Sequence, residues 1–376
     1  MEQGIMRIGF LTSDLHHQHG WGHYSLSLIR ALRAQGVHVV VAASNNSPVD
    51  FEFDVHPVLP ALAPAEPRQL AKLLLALNRV RTLFAGCDVI HATAEPYTPL
   101  AMWAAGNRPH IVTGHGSYVQ AGIQRNVAAR KVHQQAFRKA ATVICVSHYT
   151  AQRAQAYLPG IHTTVINNGI NPDAFRNLPA LSQPVTRHTI LTAGGIKQRK
   201  GTPQLVRAMA IVREHIPAVQ CVIVGRTDTE PDTLREVEAA IGELNLQDVV
   251  QLAGFVDDET LLGWYNAADV FVLPSINDGW KFEGFGLVHL EASAAGLPVV
   301  GTRDCGAEDA IEQGVTGLLI SQQHIAAELP AVLVDLLRNP EKRAAMGAAG
   351  RSRAQQFTWA RTAQQVLAAY EHALSG

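Results

Sequence analysis

The chain has 376 residues, of which 17% are charged, and its formal net charge is −1. This length is enough for two domains of ordinary size. A protein whose main partner is nucleic acid normally carries an excess of basic residues, so the balanced charge argues against that class of protein.

The four cysteines are far apart in the sequence and form no CxxC pair. Cys145 and Cys221 lie in apolar segments, which is typical of buried thiols. No segment approaches the roughly 18 apolar residues of a membrane span. The first residues lack the long apolar core of a signal peptide. We therefore expect a cytoplasmic protein with reduced thiols, with peripheral contact to the inner membrane face left open.

Short apolar segments alternate with amphipathic ones along the chain, a pattern that predicts parallel sheets covered by helices. The predicted strands are residues 7–11, 37–42, 88–91, 110–113, 142–147, 220–225, 249–254, 270–273 and 297–300, with a further strand from Thr189. The predicted helices are residues 25–34, 67–85, 148–157, 231–245 and 258–266, with further helices near residues 202 and 285 and from residue 326 onward. The fold class is therefore α/β.

The first strand is followed by a polar loop, HHQHGWG, over 16–22. Open α/β sheets bind ligands at the carboxyl ends of their strands, so Gly20 and Gly22 are candidates for a ligand-binding turn. The loop and its flank also hold four histidines, His16, His17, His19 and His23. Because no carboxylate or cysteine accompanies these histidines, we do not expect a metal site here.

Two basic segments, residues 67–85 and 125–139, are candidates for contact with an anionic membrane surface. Their charges are scattered around the predicted helices rather than collected on one face. This distribution favours the alternative, in which the charges cover the solvated faces of packed helices.

A GHGS segment follows the predicted strand 110–113 and places His115 at the carboxyl end of that strand. A histidine in this position can donate a hydrogen bond to a ligand hydroxyl or to a developing charge. The other interpretation is a structural histidine that caps the loop. His91, at the end of an earlier strand, is a weaker second candidate.

The segment IKQRKG precedes a helix for which Thr202 is the predicted N-cap and Pro203 the first residue. Lys200 lies just before this helix N-terminus, where a cation would add to the helix dipole in binding a phosphate. The alternative is an ordinary exposed lysine.

Residues 274–302 run from one apolar strand through a polar loop and a short helix into another strand. Glu283 and Glu291 are eight positions apart, which corresponds to about 12 Å at the rise of a helix. They could hold the two ends of an extended ligand whose anionic middle lies at the helix N-terminus. Gly284 and Gly286 would let that ligand approach the main chain.

The segment EGFGLVHLE, followed by ASAAGLPVV, resembles the E-x7-E signature of retaining glycosyltransferases of family 4, which have the GT-B fold. The resemblance implies two Rossmann-like domains whose parallel sheets face a central cleft. It implies that Glu291 holds the ribose of a nucleotide-sugar and Glu283 its sugar. The main chain of the GFG turn would approach the diphosphate; the residues concerned are Gly284, Phe285, Gly286 and Leu287.

The resemblance extends to other positions of the chain. It implies that Gly20 and Gly22 face the donor phosphates and the acceptor, that His115 lies near the reactive face of the sugar, and that Phe255 and Val256 present main chain to the nucleobase. It implies a phosphate contact for Lys200, with an arginine five positions earlier. This chain has Gly195 at that position. Either Arg199 or Lys197 supplies the missing charge, or the protein makes fewer contacts to the phosphate. The spacer 276–282 is longer than is common in the family, and its DGWK segment is expected to form a loop in which Asp278 is a speculative contact.

The segment VINNGINPDAF resembles the linker of this family, and we predict domains at 1–177 and 178–355 with a last helix, 356–376, that packs on the first domain. The implied function is a hexosyltransferase-type reaction: a sugar moves from a UDP- or GDP-sugar to a hydroxyl of a glycan, lipid or small molecule with retention of configuration. No aspartate pair of metal-binding spacing accompanies the phosphate site, so we expect the helix N-termini and Lys200 to neutralise the leaving diphosphate without a metal, and we expect no cofactor. The oligomeric state is not predicted.

The alternatives are another GT-B activity, such as a nucleotide-sugar epimerase or a phosphorylase, and a nucleotide-sugar-binding protein without catalysis. A nicotinamide-dependent oxidoreductase also has βαβ units. Neither half of the chain shows the GxGxxG segment followed by an acidic residue about 20 positions on, which that class of enzyme requires.

Overall fold

The computed structural model describes residues 5–16, 20–62, 68–120 and 126–376. The chain divides into two compact units, one formed by Met1–Gly169 with Trp359–Gly376 and the other by Ile170–Thr358. Residues 170–177, assigned to the first domain from the sequence, lie in the second unit. Within that unit, Ile170 and Thr358 form a parallel bridge.

The first unit is a parallel sheet with helices on its faces. Its strands are β1 (Arg7–Leu11), β2 (His38–Ser44), β3 (Val55–Leu59), β4 (Val89–Ala92), β5 (His110–Gly114), β6 (Thr142–Cys145) and β7 (Thr163–Val165). Its helices, numbered in chain order, are α1 (Gly20–Ala34), α2 (Gln69–Leu83), α3 (Thr98–Ala105), α4 (Val127–Arg138), α5 (His148–Tyr157) and α13 (Trp359–Ser375). The described strands pair in the order β3-β2-β1-β4-β5-β6-β7.

The second unit is also a parallel sheet covered by helices. Its strands are β8 (His188–Ala193), β9 (Val219–Val224), β10 (Val250–Gly254), β11 (Val270–Val272), β12 (Val299–Thr302) and β13 (Gly317–Ile320). Its helices are α6 (Thr202–His215), α7 (Pro231–Glu243), α8 (Asp258–Ala267), α9 (Leu287–Ala295), α10 (Ala307–Ala310), α11 (Ile325–Arg338) and α12 (Pro340–Ala354). The described strands pair in the order β10-β9-β8-β11-β12-β13.

In both sheets the strand order reverses beside the first strand, between β1 and β4 in one unit and between β8 and β11 in the other. Helices leave to opposite faces at such a switch point, which opens a crevice at the carboxyl ends of the two strands. The α/β architecture predicted from the sequence is confirmed, and the topology marks one crevice in each unit as the place for ligands.

Two predicted helix starts were wrong. Helix α1 begins at Gly20 rather than near Ser25, so the predicted glycine loop 16–22 ends inside the helix. Glycine has a low helix propensity, but a Cβ on Gly22 would lie 2.6 Å from the carbonyl oxygen of His16, and this close packing favours glycine there. In α6 the N-cap is Gly201 with φ +68°, and Thr202 is already the first helical residue.

Some predicted segments extend beyond the described residues. His17, His19, Pro67 and Arg125 lie outside them. Within the described part of the chain, no helix combines the length and apolar character needed to cross a membrane.

Helix α13 packs against α1, and its buried Tyr370 reaches the centre of the first sheet. The Tyr370 hydroxyl lies 2.7 Å from Nδ1 of His91, whose Nε2 lies 2.8 Å from the Thr113 hydroxyl. Burial lowers the pKa of His91 to about 3, so this imidazole is neutral at physiological pH. Because both ring nitrogens are occupied, His91 has a structural role.

We predict that Tyr370→Phe lowers the free energy of unfolding by about 1–3 kcal/mol, because it leaves a buried ring nitrogen of His91 without its partner. Urea denaturation measures this change. Gln364→Ala, an exposed position on the same helix, serves as the control and should leave stability within about 0.5 kcal/mol. Equal stability of Tyr370→Phe and the parent protein would contradict the role assigned to this hydrogen bond.

Candidate functional site

Two turns meet at the switch point of the second unit. One follows β8 and contains a short 3₁₀ helix, Gln198–Lys200; the other is the loop after β11. The N–H of Ile276 donates to the carbonyl of Arg199 at 2.9 Å. A Cβ on Gly201 would lie 1.9 Å from the carbonyl oxygen of Pro274, so the two turns can approach this closely only with glycine there.

The carboxylate of Glu283 lies between two cations at this junction. Its Oε2 accepts hydrogen bonds from Lys200 Nζ at 2.6 Å and from Arg199 Nη1 at 2.8 Å. Ser275 Oγ, fully buried, donates to the same oxygen at 3.4 Å. The sequence predicted these residues separately as sugar and phosphate contacts, and the structure shows that Arg199, Lys200 and Glu283 form one cluster.

Burial alone would raise the pKa of Glu283, whose exposed fraction is only 7%. The charges of Lys200 and Arg199 outweigh this effect and hold the pKa well below its usual range. Burial lowers the pKa of Lys200, and the carboxylate of Glu283 opposes that change. With the carboxylate ionised and both cations protonated, the cluster keeps a net charge of +1, which favours an anionic ligand.

Glu230, a residue not predicted from the sequence, also holds the 3₁₀ helix Gln198–Lys200 in place. The Glu230 carboxylate accepts a hydrogen bond from the main-chain N–H of Gln198 at 2.8 Å and lies 3.4 Å from Lys281 Nζ. Lys281 itself belongs to the DGWK loop, where Asp278 and Lys281 exchange two main-chain hydrogen bonds of 2.9 Å. The DGWK segment, predicted to form a loop, therefore forms a tight turn, and its role in binding stays a prediction.

Helix α9 starts at Leu287, four positions after Glu283. Its N-cap is Gly286 with φ +82°, a conformation that a residue with a side chain rarely adopts. The free N–H groups and the dipole of the helix add positive potential at this end, beside Lys200 and Glu283. Phe285 is buried and its ring packs 6.3 Å from that of Phe357, so its side chain has a packing role, while Leu287 is partly exposed at the helix start.

Glu291 lies on the same helix and is held by a tyrosine from α8. The Tyr265 hydroxyl donates to Glu291 Oε2 at 3.1 Å. Burial raises the pKa of Glu291, and burial together with the carboxylate raises that of Tyr265 well above its usual value, so the phenol remains a donor. The ring of Tyr265 is fixed between Phe175 and Phe271.

The other predicted positions of this unit lie around the same end of the sheet. Phe255 and Val256 follow β10, and the Phe255 side chain is 61% exposed. Gly195 lies after β8, near Thr229 and Arg226. Burial, followed by the charge of Arg199, lowers the pKa of Lys197. Of the two residues considered as replacements for an arginine at position 195, Arg199 is the one that reaches Glu283.

His115 lies in the first unit, directly after β5. Its Nε2 is 2.8 Å from the carbonyl oxygen of Thr93, so Nε2 carries the proton and donates. Burial lowers the pKa of His115 to about 4, which keeps the ring neutral at physiological pH. The edge of Tyr24 packs on the ring at a centroid distance of 4.5 Å. The remaining nitrogen, Nδ1, is therefore an acceptor, whereas the sequence suggested a donor.

The switch point of the first unit carries a chain of hydroxyl groups. Thr12 Oγ1 donates to Ser25 Oγ at 2.7 Å, and Ser25 Oγ lies 2.7 Å from Thr93 Oγ1. Thr93 Oγ1 donates to the carbonyl of Leu11 at 3.2 Å. This chain ties the start of α1, with Gly22, to the ends of β1 and β4. Sequence reasoning missed it because isolated Ser and Thr residues carry no distinctive spacing.

The comparisons with known proteins agree with this architecture. The sequence profile described as "Glycosyltransferase Family 4" matches residues 19–174, and "Glycosyl transferases group 1" matches residues 175–353. A GDP-mannose-dependent alpha-(1-6)-phosphatidylinositol monomannoside mannosyltransferase of Mycobacterium tuberculosis is 31% identical over 288 residues, which cover 73% of each chain. The chain belongs to glycosyltransferase family 4.

Other relatives and structures are similar over different shares of this family 4 protein. A D-inositol 3-phosphate glycosyltransferase of Arthrobacter sp. is 37% identical over 61% of this chain and 53% of its own length. The chain thus spans about half the length of the first curated relatives that it matches. A sucrose-phosphate synthase from Thermosynechococcus elongatus has a TM-score of 0.78 at 26% identity and covers 97% of this chain and 98% of its own. The Anabaena protein HepE, solved with UDP, has a TM-score of 0.78 at 21% identity over 96% of this chain and 99% of its own. The predicted GT-B fold is confirmed.

We predict that Gly201→Ala destabilises the second unit, because the residue needs φ +68° and its Cβ would collide with Pro274. The backbone strain alone costs about 1–3 kcal/mol. Urea denaturation gives the change in free energy of unfolding. The matched control is Gly242→Ala in the exposed part of α7, where a Cβ meets nothing within 4 Å and stability should rise by up to about 1 kcal/mol. If both alanine variants were equally stable, the close approach of the two turns would not be needed for the fold.

Proposed function

We propose that this family 4 protein is a retaining glycosyltransferase that moves a hexosyl group from a UDP- or GDP-sugar to an acceptor hydroxyl. The observation that carries the proposal is the Arg199–Lys200–Glu283 cluster at the N-terminus of α9. A cluster of net positive charge beside free helix N–H groups suits the diphosphate of a nucleotide-sugar. The acceptor would be a hydroxyl of a glycan, a lipid or a small molecule.

In this proposal, the diphosphate competes with Glu283 for Arg199 and Lys200. Phosphate oxygens that hydrogen-bond to the two cations would free the carboxylate to accept hydrogen bonds from hydroxyls of the donor sugar. Glu291, oriented by Tyr265, would hold the ribose, and the main chain at Phe255 and Val256 would lie at the base. Two fixed cations and the helix N-terminus can neutralise the leaving diphosphate, so we propose that transfer needs no divalent metal.

The chemistry that suits these groups is a same-face substitution. The bond between the anomeric carbon and the phosphate oxygen breaks as the acceptor oxygen approaches the same face of the sugar. The departing phosphate oxygen takes the acceptor proton, so no side chain has to serve as base. His115 would contribute to this step as a neutral hydrogen-bond acceptor for a sugar hydroxyl, because Thr93 occupies its Nε2.

The relatives support the choice of substrate class. The mycobacterial relative is named as GDP-mannose-dependent, and the Arthrobacter relative is named for D-inositol 3-phosphate. We therefore propose a screen of UDP- and GDP-hexoses against inositol phosphates, phosphatidylinositol glycolipids and short glycans, with nucleotide release as the assay. Product with the anomeric configuration of the donor, shown by the proton coupling of the new linkage, supports the proposal. Nucleotide binding without release from any donor and acceptor pair contradicts a transferase and favours a binding protein.

We predict opposite effects for the two glutamates of the E-x7-E segment. Glu283→Gln removes the negative charge beside Lys200 and Arg199, so nucleoside diphosphate should bind as tightly as in the parent protein or more tightly, while turnover falls at least about tenfold. Glu291→Gln should mainly weaken nucleotide binding. Calorimetric Kd values and initial transfer rates separate the two effects. Parental turnover in both variants would show that the assigned site is wrong.

A further prediction concerns Tyr265, which contributes a hydroxyl to Glu291. Tyr265→Phe keeps the ring packing and removes one hydrogen bond, so nucleotide Kd should rise about 3- to 10-fold with little change in kcat. Tyr97→Phe is the matched control, since its hydroxyl donates to the carbonyl of Pro60 in the other unit. If Tyr97→Phe raised the nucleotide Kd by as much, the loss of affinity would come from general destabilisation and not from the orientation of Glu291.

A further inference from the structure

A buried glutamate to which the proposed function gives no role lies at the switch point of the first unit, beside His115. Glu95 begins a 3₁₀ helix, Glu95–Tyr97, three residues after β4, and is 3% exposed. The crevice between β1 and β4 is the place where an open α/β sheet offers its ligand site. Burying a carboxyl group costs free energy because the group loses its hydration. A carboxyl group buried at such a crevice therefore needs an explanation.

The carboxyl group contacts the main chain of His115. Glu95 Oε1 accepts a hydrogen bond from the His115 N–H at 2.7 Å. Two residues earlier, the Thr93 carbonyl accepts from His115 Nε2 at 2.8 Å. The short segment 93–95 therefore holds His115 at both its main chain and its ring, and the two contacts together fix the position and the tautomer of the imidazole.

The backbone around His115 explains why a side chain has to supply this acceptor. Strand β5 ends at Gly114, whose carbonyl accepts the last hydrogen bond from Val146. Gly116 has φ +149° and is the N-cap of a 3₁₀ helix, Ser117–Val119, so the strand does not continue past His115. The N–H of His115 thus lies beyond the strand pairing and would be unsatisfied without Glu95.

The surroundings of Glu95 disfavour its charged form. Burial raises the pKa of Glu95 to about 7; the hydrogen bonds that the carboxyl group accepts from the His115 N–H and from the Trp21 side chain oppose this increase only partly. Its second oxygen, Oε2, is buried and has no hydrogen-bond partner. A neutral amide oxygen could accept the same hydrogen bond from the His115 N–H, so the contact does not depend on the charge of the carboxylate.

We infer that Glu95 is a positioning residue for transfer, acting through His115 by holding its main chain and ring in place. This inference rests on the proposed function, in which His115 takes part in transfer. The feature of Glu95 that transfer requires is the hydrogen bond that Oε1 accepts from the His115 N–H, and not the charge of the carboxylate.

Two variants separate the contact from the charge. Glu95→Gln keeps an oxygen that accepts from the His115 N–H and removes the charge, so kcat should stay within about twofold of the parent protein. Glu95→Asp keeps the carboxyl group but is one methylene shorter, which withdraws the acceptor, so kcat should fall about 10- to 100-fold. Melting temperatures of both variants show whether they are folded, and Tyr97→Phe, next to this segment, serves as the control for local perturbation.

A double-mutant cycle tests whether Glu95 acts through His115. We expect His115→Ala to lower kcat and Glu95→Asp to lower it little further in the His115→Ala background, because the residue that it positions is already missing. Additive losses in the double variant would overturn the inference, and so would loss of kcat in a folded Glu95→Gln. Parental kcat in Glu95→Asp, while His115→Ala is impaired, would overturn it as well. Parental kcat in His115→Ala would instead refute the part of His115 in the proposed function.

Discussion

The ion pairs of Glu283 with Arg199 and Lys200 are the interaction on which the second unit's site depends. A buried carboxylate is stable only with good geometry and several partners, and here two cations and a serine hydroxyl converge on one oxygen. This convergence requires the turn after β8 to touch the loop after β11, which Gly201 permits and Glu230 supports. The cluster therefore depends on the backbone conformation at Gly201, and its positive charge favours an anionic ligand.

Sheet topology determines where such a cluster can form. Both units have a parallel sheet whose order reverses beside its first strand, and in both several chemically distinctive residues follow the strands that flank this reversal. His115 follows the next strand, β5. The two crevices are lined differently. The second unit presents cations and a helix N-terminus, which suit a diphosphate, whereas the first presents hydroxyl groups, a neutral histidine and a buried carboxyl group, which suit uncharged hydroxyl-bearing ligands. The proposed reaction between a nucleotide-sugar and an alcohol would use both kinds of lining.

Much of the fold followed from the sequence, because apolar strands and amphipathic helices alternate with a clear period. The E-x7-E spacing pointed to Glu283 and Glu291 as candidates. The contacts between distant residues did not follow. Arg199 and Glu283 are 84 positions apart, and no local pattern shows that an arginine will meet a particular carboxylate. Glycine also misled the prediction at α1, since low helix propensity suggested a loop where close packing against His16 favours a helical Gly22. No local sequence pattern marked Glu95 or Tyr265 as a functional residue. The order of the strands, and not proximity in the sequence, brings them to their partners His115 and Glu291.

The most direct test of the account is calorimetric titration of the protein with UDP, GDP and ADP and with the corresponding nucleosides, each with and without EDTA. The central claim is that Arg199, Lys200 and the N-terminus of α9 form a diphosphate site without a metal. The account predicts that one of the diphosphates binds in the micromolar range, that EDTA leaves its Kd unchanged, and that the matching nucleoside binds far more weakly. Equal binding of nucleoside and diphosphate, or loss of diphosphate binding in EDTA, would contradict it.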